Sequence, residues 1–408
     1  FGSSFNLHRP TQPSNMMGKS SEPLLGSRDV SAPPRPVAFL AYAVMGLCFG
    51  FLFEKSHVYE PASIRGQFIF EKWIMIKMFM GAVAGSCIVF CIMSKVAPAL
   101  LIDVRSSFHP VRRGYLAGGV LGAALLGLGM VVAGACPGMV LPQVGTGLHN
   151  ALLTVAGGLA GGLTFGLAEP LLGKKLLSRG RQCPATEEAF LDVRLGTSFP
   201  LLCLPLGAVC GLAALALELL VPFREELGPY VGSDRGGGPL FAKAWPPALC
   251  GALLGVLNWP TALAARDSLG SASAYQCVAS QWLALAPRAV RESFTHMEGA
   301  RTSLVAQGQV FYVGFAILGA FLSAIASGSA PTRAAGVAPA PALLGGFLMI
   351  FGSRLAGGCT SGHGISGMPL LHSLSFVSVC AMFGTCIAAA FIMDALHCLT
   401  LPPLTGRF

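Results

Sequence analysis

The chain has 408 residues, of which 53% are hydrophobic and only 11% are charged, against roughly 25% charged residues in an ordinary soluble domain. With 52 glycines, this composition excludes disorder over most of the chain and favours a helical membrane protein with many spans. The net charge of +9 does not indicate a nucleic-acid partner, because the basic residues are spread between apolar runs and form no patch.

Thirteen cysteines do not form the disulfide framework of a small secreted protein. Most of them lie inside apolar runs, where cysteine acts as a small hydrophobic residue. The sequence contains no CxxC pair and no Cys/His cluster with zinc spacing. It also lacks the phosphate-binding motif GxxxxGKS/T. The sequence therefore predicts no metal, no cofactor and no enzymatic activity.

The chain begins with a Ser/Pro-rich segment, 1–36, which is predicted to be a disordered tail. A transit peptide is the alternative, although Glu22 and Asp29 count against it. A short tail, 395–408, ends the chain, and a stretch at 276–286 is predicted to be interfacial or partly re-entrant. Nine apolar segments are long enough, or nearly so, to cross a membrane. These predicted spans are 37–53, 73–94, 114–134, 148–172, 199–221, 245–258, 309–328, 340–356 and 370–393.

The loops between the predicted spans differ in charge. Alternate loops on one side carry 17 Lys and Arg residues, and those on the other side carry 8. Basic loops usually remain in the cytoplasm. The sequence therefore predicts an integral, multi-pass protein of the lipid bilayer with a cytoplasmic N-terminus and a C-terminus on the far side.

An internal repeat relates the two halves of the chain. A shift of 223 residues places Gly122 on Gly345, Gly129 on Gly352 and residue 136 on residue 359, with six of the fifteen positions 122–136 identical. Each half contributes four spans, and the fifth span lies between them. The predicted fold is therefore an all-α membrane protein of about nine helices in an inverted 4 + 1 + 4 repeat. Its predicted parts are a first repeat at 37–172, a loop and linking helix at 173–222 and a second repeat at 223–394.

Two glycine-rich segments interrupt the apolar pattern at equivalent positions in the two halves. The first is Gly134–Met139, and the second is Gly357–Gly367. One interpretation is an ordinary turn in water. The other is a pair of re-entrant loops, because irregular backbone at membrane depth is tolerated where it lines a cavity. Such loops, entering from opposite sides, are expected to meet near the bilayer midplane.

The segment Arg354-Leu-Ala-Gly-Gly-Cys-Thr-Ser-Gly-His-Gly-Ile-Ser-Gly367 resembles the signature of the YeeE/YedE sulphur-transport family, whose members include thiosulfate importers. Gly134-Ala-Cys-Pro-Gly138 resembles the family's first-half motif, and the resemblance extends from about residue 37 to 394. It implies an hourglass-shaped helical protein in which central cysteines pass an anion along through S–H contacts. Cys136 and Cys359 match two of these cysteines.

A third family cysteine stands in a segment like Arg-Ser-x-Phe-Cys, where this chain has Lys55-Ser-His-Val-Tyr59. Tyr59 therefore replaces it, and Arg65 still fits the family pattern. Hydroxyl groups and helix N-termini would add donors for an anion. The predicted substrate path comprises Tyr59, Arg65, Gly134, Cys136, Pro137, Gly138, Gly358, Cys359, Thr360, Ser361, Gly362, His363, Gly364 and Ser366.

Some of these roles have a structural alternative. His363 could donate to the anion or shuttle a proton, but a structural role is favoured for a single histidine in a glycine-rich loop. Arg354 could attract anions or cap its helix, and Tyr59 could simply pack at the membrane interface.

Three functions fit the sequence. The first is a transporter or channel-like permease for a small inorganic sulphur anion, thiosulfate by resemblance. The second is a membrane thiol-redox protein in which Cys136 and Cys359 form a disulfide. The third is a non-sulphur solute channel with structural cysteines, which Tyr59 in place of the outer cysteine keeps open. Family association alone suggests a soluble sulphurtransferase partner.

Overall fold

The computed structural model describes residues 35–108, 115–172, 187–228, 238–266, 270–285, 287–288, 291, 294–302, 304–330, 332 and 334–396. Of the two predicted tails, 1–36 and 395–408, only residues 35–36 and 395–396 are among the described residues. The described residues are all-α, and their β-structure is limited to one bridge between Phe190 and His372. The predicted fold class is therefore confirmed.

The described α-helices are numbered in chain order. They are α1 Arg35–Lys55, α2 Pro61–Phe68, α3 Ile74–Val96, α4 Pro98–Phe108, α5 Tyr115–Ala133, α6 Val140–Gly145, α7 Ala151–Leu172, α8 Leu191–Arg194, α9 Phe199–Leu220, α10 Phe223–Leu227, α11 Pro247–Val256, α12 Asn258–Ala265, α13 Ala272–Ser280, α14 Thr295–Thr302, α15 Leu304–Ser327, α16 Pro339–Ala356 and α17 Ser373–Ala395. A π-helix covers Thr360–Gly367.

Eight of the helical segments are long and apolar enough to cross a membrane. The predicted span at 114–134 corresponds to a shorter apolar helix, Ala117–Ala133, close to the lower limit of roughly 17 residues. The predicted span at 245–258 is too short, because α11 and α12 together form one segment, Pro247–Ala265. Pro260 lies in the first turn of α12, where a missing backbone N–H costs little.

Glycines allow the helices to pack closely, and the same arrangement occurs in both halves. Gly50 of α1 faces the backbone of α15, and a Cβ there would lie 2.8 Å from the Ala320 nitrogen. Gly255 of α11 faces α3, where the corresponding distance to the Ser86 nitrogen is 2.5 Å. In lipid, such close backbone packing supplies much of the association energy, because burial of apolar surface adds little.

A second glycine contact joins α5 to α16. A Cβ at Gly122 would lie 2.7 Å from the carbonyl oxygen of Gly352, and a Cβ at Gly352 would lie 2.7 Å from that of Gly122. The 223-residue shift relates these helices, so the internal repeat appears as a reciprocal contact. The inverted orientation of the halves in the membrane stays a prediction.

A buried polar cluster lies where α1 ends. The Glu54 carboxylate accepts hydrogen bonds from Ser323 (2.6 Å) and Ser329 (2.7 Å) and lies 3.4 Å from the Lys55 ammonium. Lys55 in turn donates to the Ala242 carbonyl oxygen at 2.9 Å. Both charged side chains are fully buried, so their partners offset a large desolvation cost. The cluster ties the end of α1 to the end of α15 and to the segment before α11.

His57, just beyond this cluster, is surrounded by hydrogen-bond acceptors. Its Nδ1 lies 3.2 Å from Glu60 Oε1, and its Nε2 lies 3.0 Å from the Lys243 carbonyl oxygen. Only the doubly protonated imidazolium can donate to both. Burial alone would lower the pKa of His57, but the hydrogen bond and charge of Glu60, with the charge of Glu54 and the Lys243 carbonyl, raise that pKa above 6.5 overall.

Because the folded pKa of His57 is raised, its contribution to stability is fully present below pH 6.5 and is lost as pH rises through the folded pKa. We expect the thermal midpoint of the detergent-solubilised protein to fall as the pH rises above 6.5 and through the folded pKa of His57. His57→Gln should remove this component of the pH profile, whereas His149→Gln, at an exposed position, should retain it. Identical profiles for wild type and His57→Gln would contradict the assignment.

Candidate functional site

Two helices stop inside the bundle, each at a glycine in the left-handed conformation. Gly134 (φ +59°) follows α5, and Gly357 (φ +85°) follows α16. Glycine adopts this conformation without steric cost, so both sequences end their helices at equivalent positions. Non-helical segments of a few residues follow, and they carry Cys136 and Cys359. The chain then enters α6 in the first half and the π-helix in the second.

Side chains from elsewhere in the fold position the first of these loops. Arg65 donates from Nε to the Val131 carbonyl oxygen (3.0 Å) and from Nη2 to that of Val132 (2.8 Å). Gln143 Nε2 donates to the Gly134 carbonyl oxygen at 3.1 Å. Arg65 thus caps the last carbonyls of α5, which is a positioning role for a residue that was expected on the substrate path.

The second loop is held by a buried hydrogen-bond chain. Ser366 donates to Asn258 Oδ1 at 3.0 Å, and Asn258 Nδ2 donates to Ser86 at 3.0 Å. The π-helix is thereby connected to α12 and α3. Single π-helical turns are frequent at functional sites, and here the turn presents the residues after Cys359 to the interior.

His363 belongs to the same π-helix but faces away from the cavity described below. Its Nδ1 lies 3.2 Å from Ser375 Oγ, and its ring packs on Gly358, where a Cβ would lie 2.9 Å from Nε2. His363 is absent from the cavity lining. These contacts favour the structural interpretation of His363.

Ser271, at the start of α13, lies between the two loops. Its Oγ lies 3.2 Å from Ser361 Oγ and 3.9 Å from Cys359 Sγ, while Cys359 Sγ lies 3.1 Å from Ser361 Oγ. A Cβ at Gly138 would lie 3.1 Å from Ser271 Oγ, so this glycine leaves room for the contact. Ser271 was not predicted as a site residue from the sequence.

Two buried tyrosines, neither of them predicted from the sequence, lie against the first loop or the cavity wall. Tyr275 donates to the Pro137 carbonyl oxygen at 3.0 Å. Tyr312 packs on Phe49 of the cavity lining, with ring centroids 5.4 Å apart and ring planes tilted by 60°. Its hydroxyl has no hydrogen-bond partner among the described residues.

A cavity of about 40 Å³ lies between the two loops, enough for a few water molecules at roughly 10–15 Å³ each. Its boundary includes residues from both loops together with α1, α3 and α11. The lining residues are Phe49, Phe53, Val58, Met75, Met78, Phe79, Ala82, Cys136, Gly138, Met139, Leu254, Thr360, Ser361 and Ile365.

The remaining predicted residues shape this cavity or lie near it. Thr360 lies 3.3 Å from the sulphur atoms of Met130 and Met382. A Cβ at Gly362 would lie 3.9 Å from Cys359 Sγ, and one at Gly364 would collide with the Phe79 ring. Gly364 therefore leaves space for the Phe79 ring, whereas Gly362 lies at ordinary contact distance from the thiol.

Tyr59 is 1% exposed, so it does not pack at an open interface. Its hydroxyl lies 3.3 Å from Thr332 Oγ1, and its carbonyl oxygen accepts from Gln143 at 2.8 Å. Val58, its neighbour, lines the cavity. Tyr59 therefore lies on the side of the cavity where α1 ends and contacts the residue that also holds the first loop.

A comparison with protein-family models matches residues 55–388 to the family described as Sulphur transport. The match covers most of the chain and contains both cysteine loops and the cavity lining except Phe49 and Phe53. A search of curated proteins finds no match.

Proposed function

The chain belongs to the YeeE/YedE sulphur-transport family and is a membrane transporter for a sulphur compound; we propose that this compound is thiosulfate, passed between Cys136 and Cys359. The observation that carries the proposal is that both loops line one cavity, with Cys136 from the first loop and Thr360 and Ser361 from the second. Cys359 does not line the cavity itself, but its Sγ lies 3.1 Å from Ser361 Oγ, which does. Membership of a transporter family favours a non-enzymatic role.

The groups around the cavity suit weak and reversible binding of a sulphur anion. Cys136 and Cys359 are 7% and 2% exposed, and neutral thiols are weak donors. Stronger neutral donors come from Ser271 and Ser361, and the N–H groups at the start of α13 add positive potential. Since no lysine or arginine lines the cavity, the anion meets several weak sites in sequence, as rapid conduction requires.

The direct test is uptake of sulphur-labelled thiosulfate by proteoliposomes that contain the purified protein, with unlabelled sulfate as competitor. We expect uptake that saturates, that unlabelled thiosulfate suppresses and that sulfate suppresses poorly. Equal suppression by sulfate, or transport of unrelated small solutes, would favour the non-sulphur channel. Disulfide formation between the two cysteines during turnover, without net uptake, would favour the thiol-redox function.

We also propose that the N-terminus is cytoplasmic, from the excess of basic residues in alternate loops. Cysteine labelling or reporter fusions at both ends should place the C-terminus on the opposite side. Both termini on one side would contradict the inverted repeat.

A soluble sulphurtransferase that accepts the delivered sulphur is the partner that family association suggests.

Tyr59 should affect how the anion reaches the cavity. A phenol keeps one O–H donor and is neutral near pH 7. We expect Tyr59→Phe to raise the apparent KM several-fold, because the loss of one hydrogen bond corresponds to roughly that factor. Tyr59→Cys should preserve or improve thiosulfate uptake. Initial rates over a thiosulfate series measure both effects. If neither variant changes KM or selectivity, the outer site lies elsewhere, and His57 becomes the next residue to test.

A further inference from the structure

Two chemically different kinds of side chain line the cavity. The two loops contribute the polar ones, Cys136, Thr360 and Ser361. Apolar side chains make up the rest of the lining, and those from α1 and α3 include Phe53, Met75, Met78 and Phe79. No side chain of that second group carries a hydrogen-bond donor for an anion.

The α3 side of the wall is a continuous helical stripe. Met75, Met78, Phe79 and Ala82 are spaced i, i+3, i+4 and i+7, so they share one face of the helix. The Phe79 ring is fixed by an edge contact with Phe383, with centroids 5.4 Å apart, and by the absence of a side chain at Gly364. The stripe is therefore a preformed apolar part of the cavity wall.

Thiosulfate and sulfate differ at one atom, because a terminal sulphur replaces one oxygen. A charged oxygen pressed against an apolar wall loses its water without gaining a donor, which is costly. A terminal sulphur is larger, more polarizable and more weakly hydrated. Polarizable thioethers and the positive edge of an aromatic ring offer it favourable contacts. The wall should therefore accept the sulphur end of thiosulfate and reject an oxygen.

We propose that Met75, Met78 and Phe79 form a subsite for the terminal sulphur, which orients the oxygens toward the loop donors and selects thiosulfate over sulfate. The inference rests on the proposed function and adds the orientation of the substrate and the residues that determine specificity. Sulfate can place oxygens at the loop donors, but its fourth oxygen then faces the apolar stripe without a partner.

Adding a donor to the stripe should weaken this discrimination. Met75→Gln and Met78→Gln each place an amide in the wall at nearly constant side-chain length. We expect sulfate to compete with labelled thiosulfate about tenfold better in these variants, since one hydrogen bond to a charged group is worth roughly that factor. Met93→Gln is the matched control, because Met93 is buried on the same helix but does not line the cavity.

A variant that takes up thiosulfate and still rejects sulfate as the wild type does would overturn the proposal. Should the glutamine variants fail to insert, competition by selenosulfate on the wild type supplies a second measurement. Its softer terminal atom should make selenosulfate at least as good a competitor as thiosulfate, and clearly weaker competition would also overturn the proposal. If wild-type proteoliposomes take up no thiosulfate, the proposed function fails instead.

Discussion

Cys136→Ala and Cys359→Ala should each lower thiosulfate uptake roughly 10- to 100-fold, the value of one hydrogen bond to a charged group, while the protein still inserts and folds. The thiols lie on loops whose backbone is held by other residues: Arg65 and Gln143 support the first loop, and Ser366 supports the second. Removal of a sulphur atom therefore takes a donor from the path without removing what positions the loop.

The measurement is the initial rate of labelled uptake, normalised to the amount of folded protein in the membrane. Cys136→Ser and Cys359→Ser should retain intermediate rates, because a hydroxyl still donates. Two controls remove a thiol that does not line the cavity. They are Cys380→Ala, at an exposed position on α17, and Cys87→Ala, buried between α3 and α9. Normal uptake by Cys359→Ala would exclude transfer through the thiols.

The loops could be located from the sequence because the signal is local. Glycines in the left-handed conformation, Gly134 and Gly357, end two apolar helices at equivalent positions, and a cysteine follows each. Ser271 gave no such signal, since it stands in a run of small residues that resembles an ordinary connection. Its role depends on α13 bringing it between Gly138 and Cys359. That approach is a tertiary contact with no counterpart in local sequence.

Most membrane spans could also be predicted, because hydropathy over about 20 residues is sufficient to identify them. The predicted sixth span, 245–258, ends at Asn258, although the apolar helical segment extends to Ala265. In the fold, this amide is buried and exchanges hydrogen bonds with Ser86 and Ser366, so the helix continues past it. A polar residue within a span cannot be assigned from sequence when its partners lie more than 100 positions away.

The segment after the first repeat illustrates the same limit. The sequence predicts only a basic loop there, before the linking helix. In the structure, Arg105 pairs with Asp192, and its guanidinium lies 4.1 Å from the centroid of the Phe190 ring. The Leu191 N–H donates to the Leu371 carbonyl oxygen at 2.9 Å. This segment therefore packs against α4 and against the chain that follows the second loop.

The close packing of α5 on α16 should tolerate substitution less than any other feature of the bundle. Both helices lead directly into the cysteine loops, so their separation sets the distance between the loops. A Cβ at Gly129 would lie 2.8 Å from the Gly345 carbonyl oxygen, and one at Gly352 would lie 2.7 Å from that of Gly122. In each case the obstacle is backbone, which cannot move aside as a flexible side chain can.

Gly129→Ala and Gly352→Ala should therefore destabilise the protein by roughly 1–3 kcal/mol each, and the double variant should largely fail to yield monodisperse protein in detergent. Gly384→Ala is the matched control: Gly384 lies on α17 with open space around its Cβ position, where alanine should be neutral or stabilising by up to about 1 kcal/mol. Thermal midpoints and size-exclusion profiles measure the difference. Equal stability of Gly352→Ala and Gly384→Ala would mean that the helices can separate without loss, and the loops would then need another support to hold Cys136 and Cys359 at one cavity.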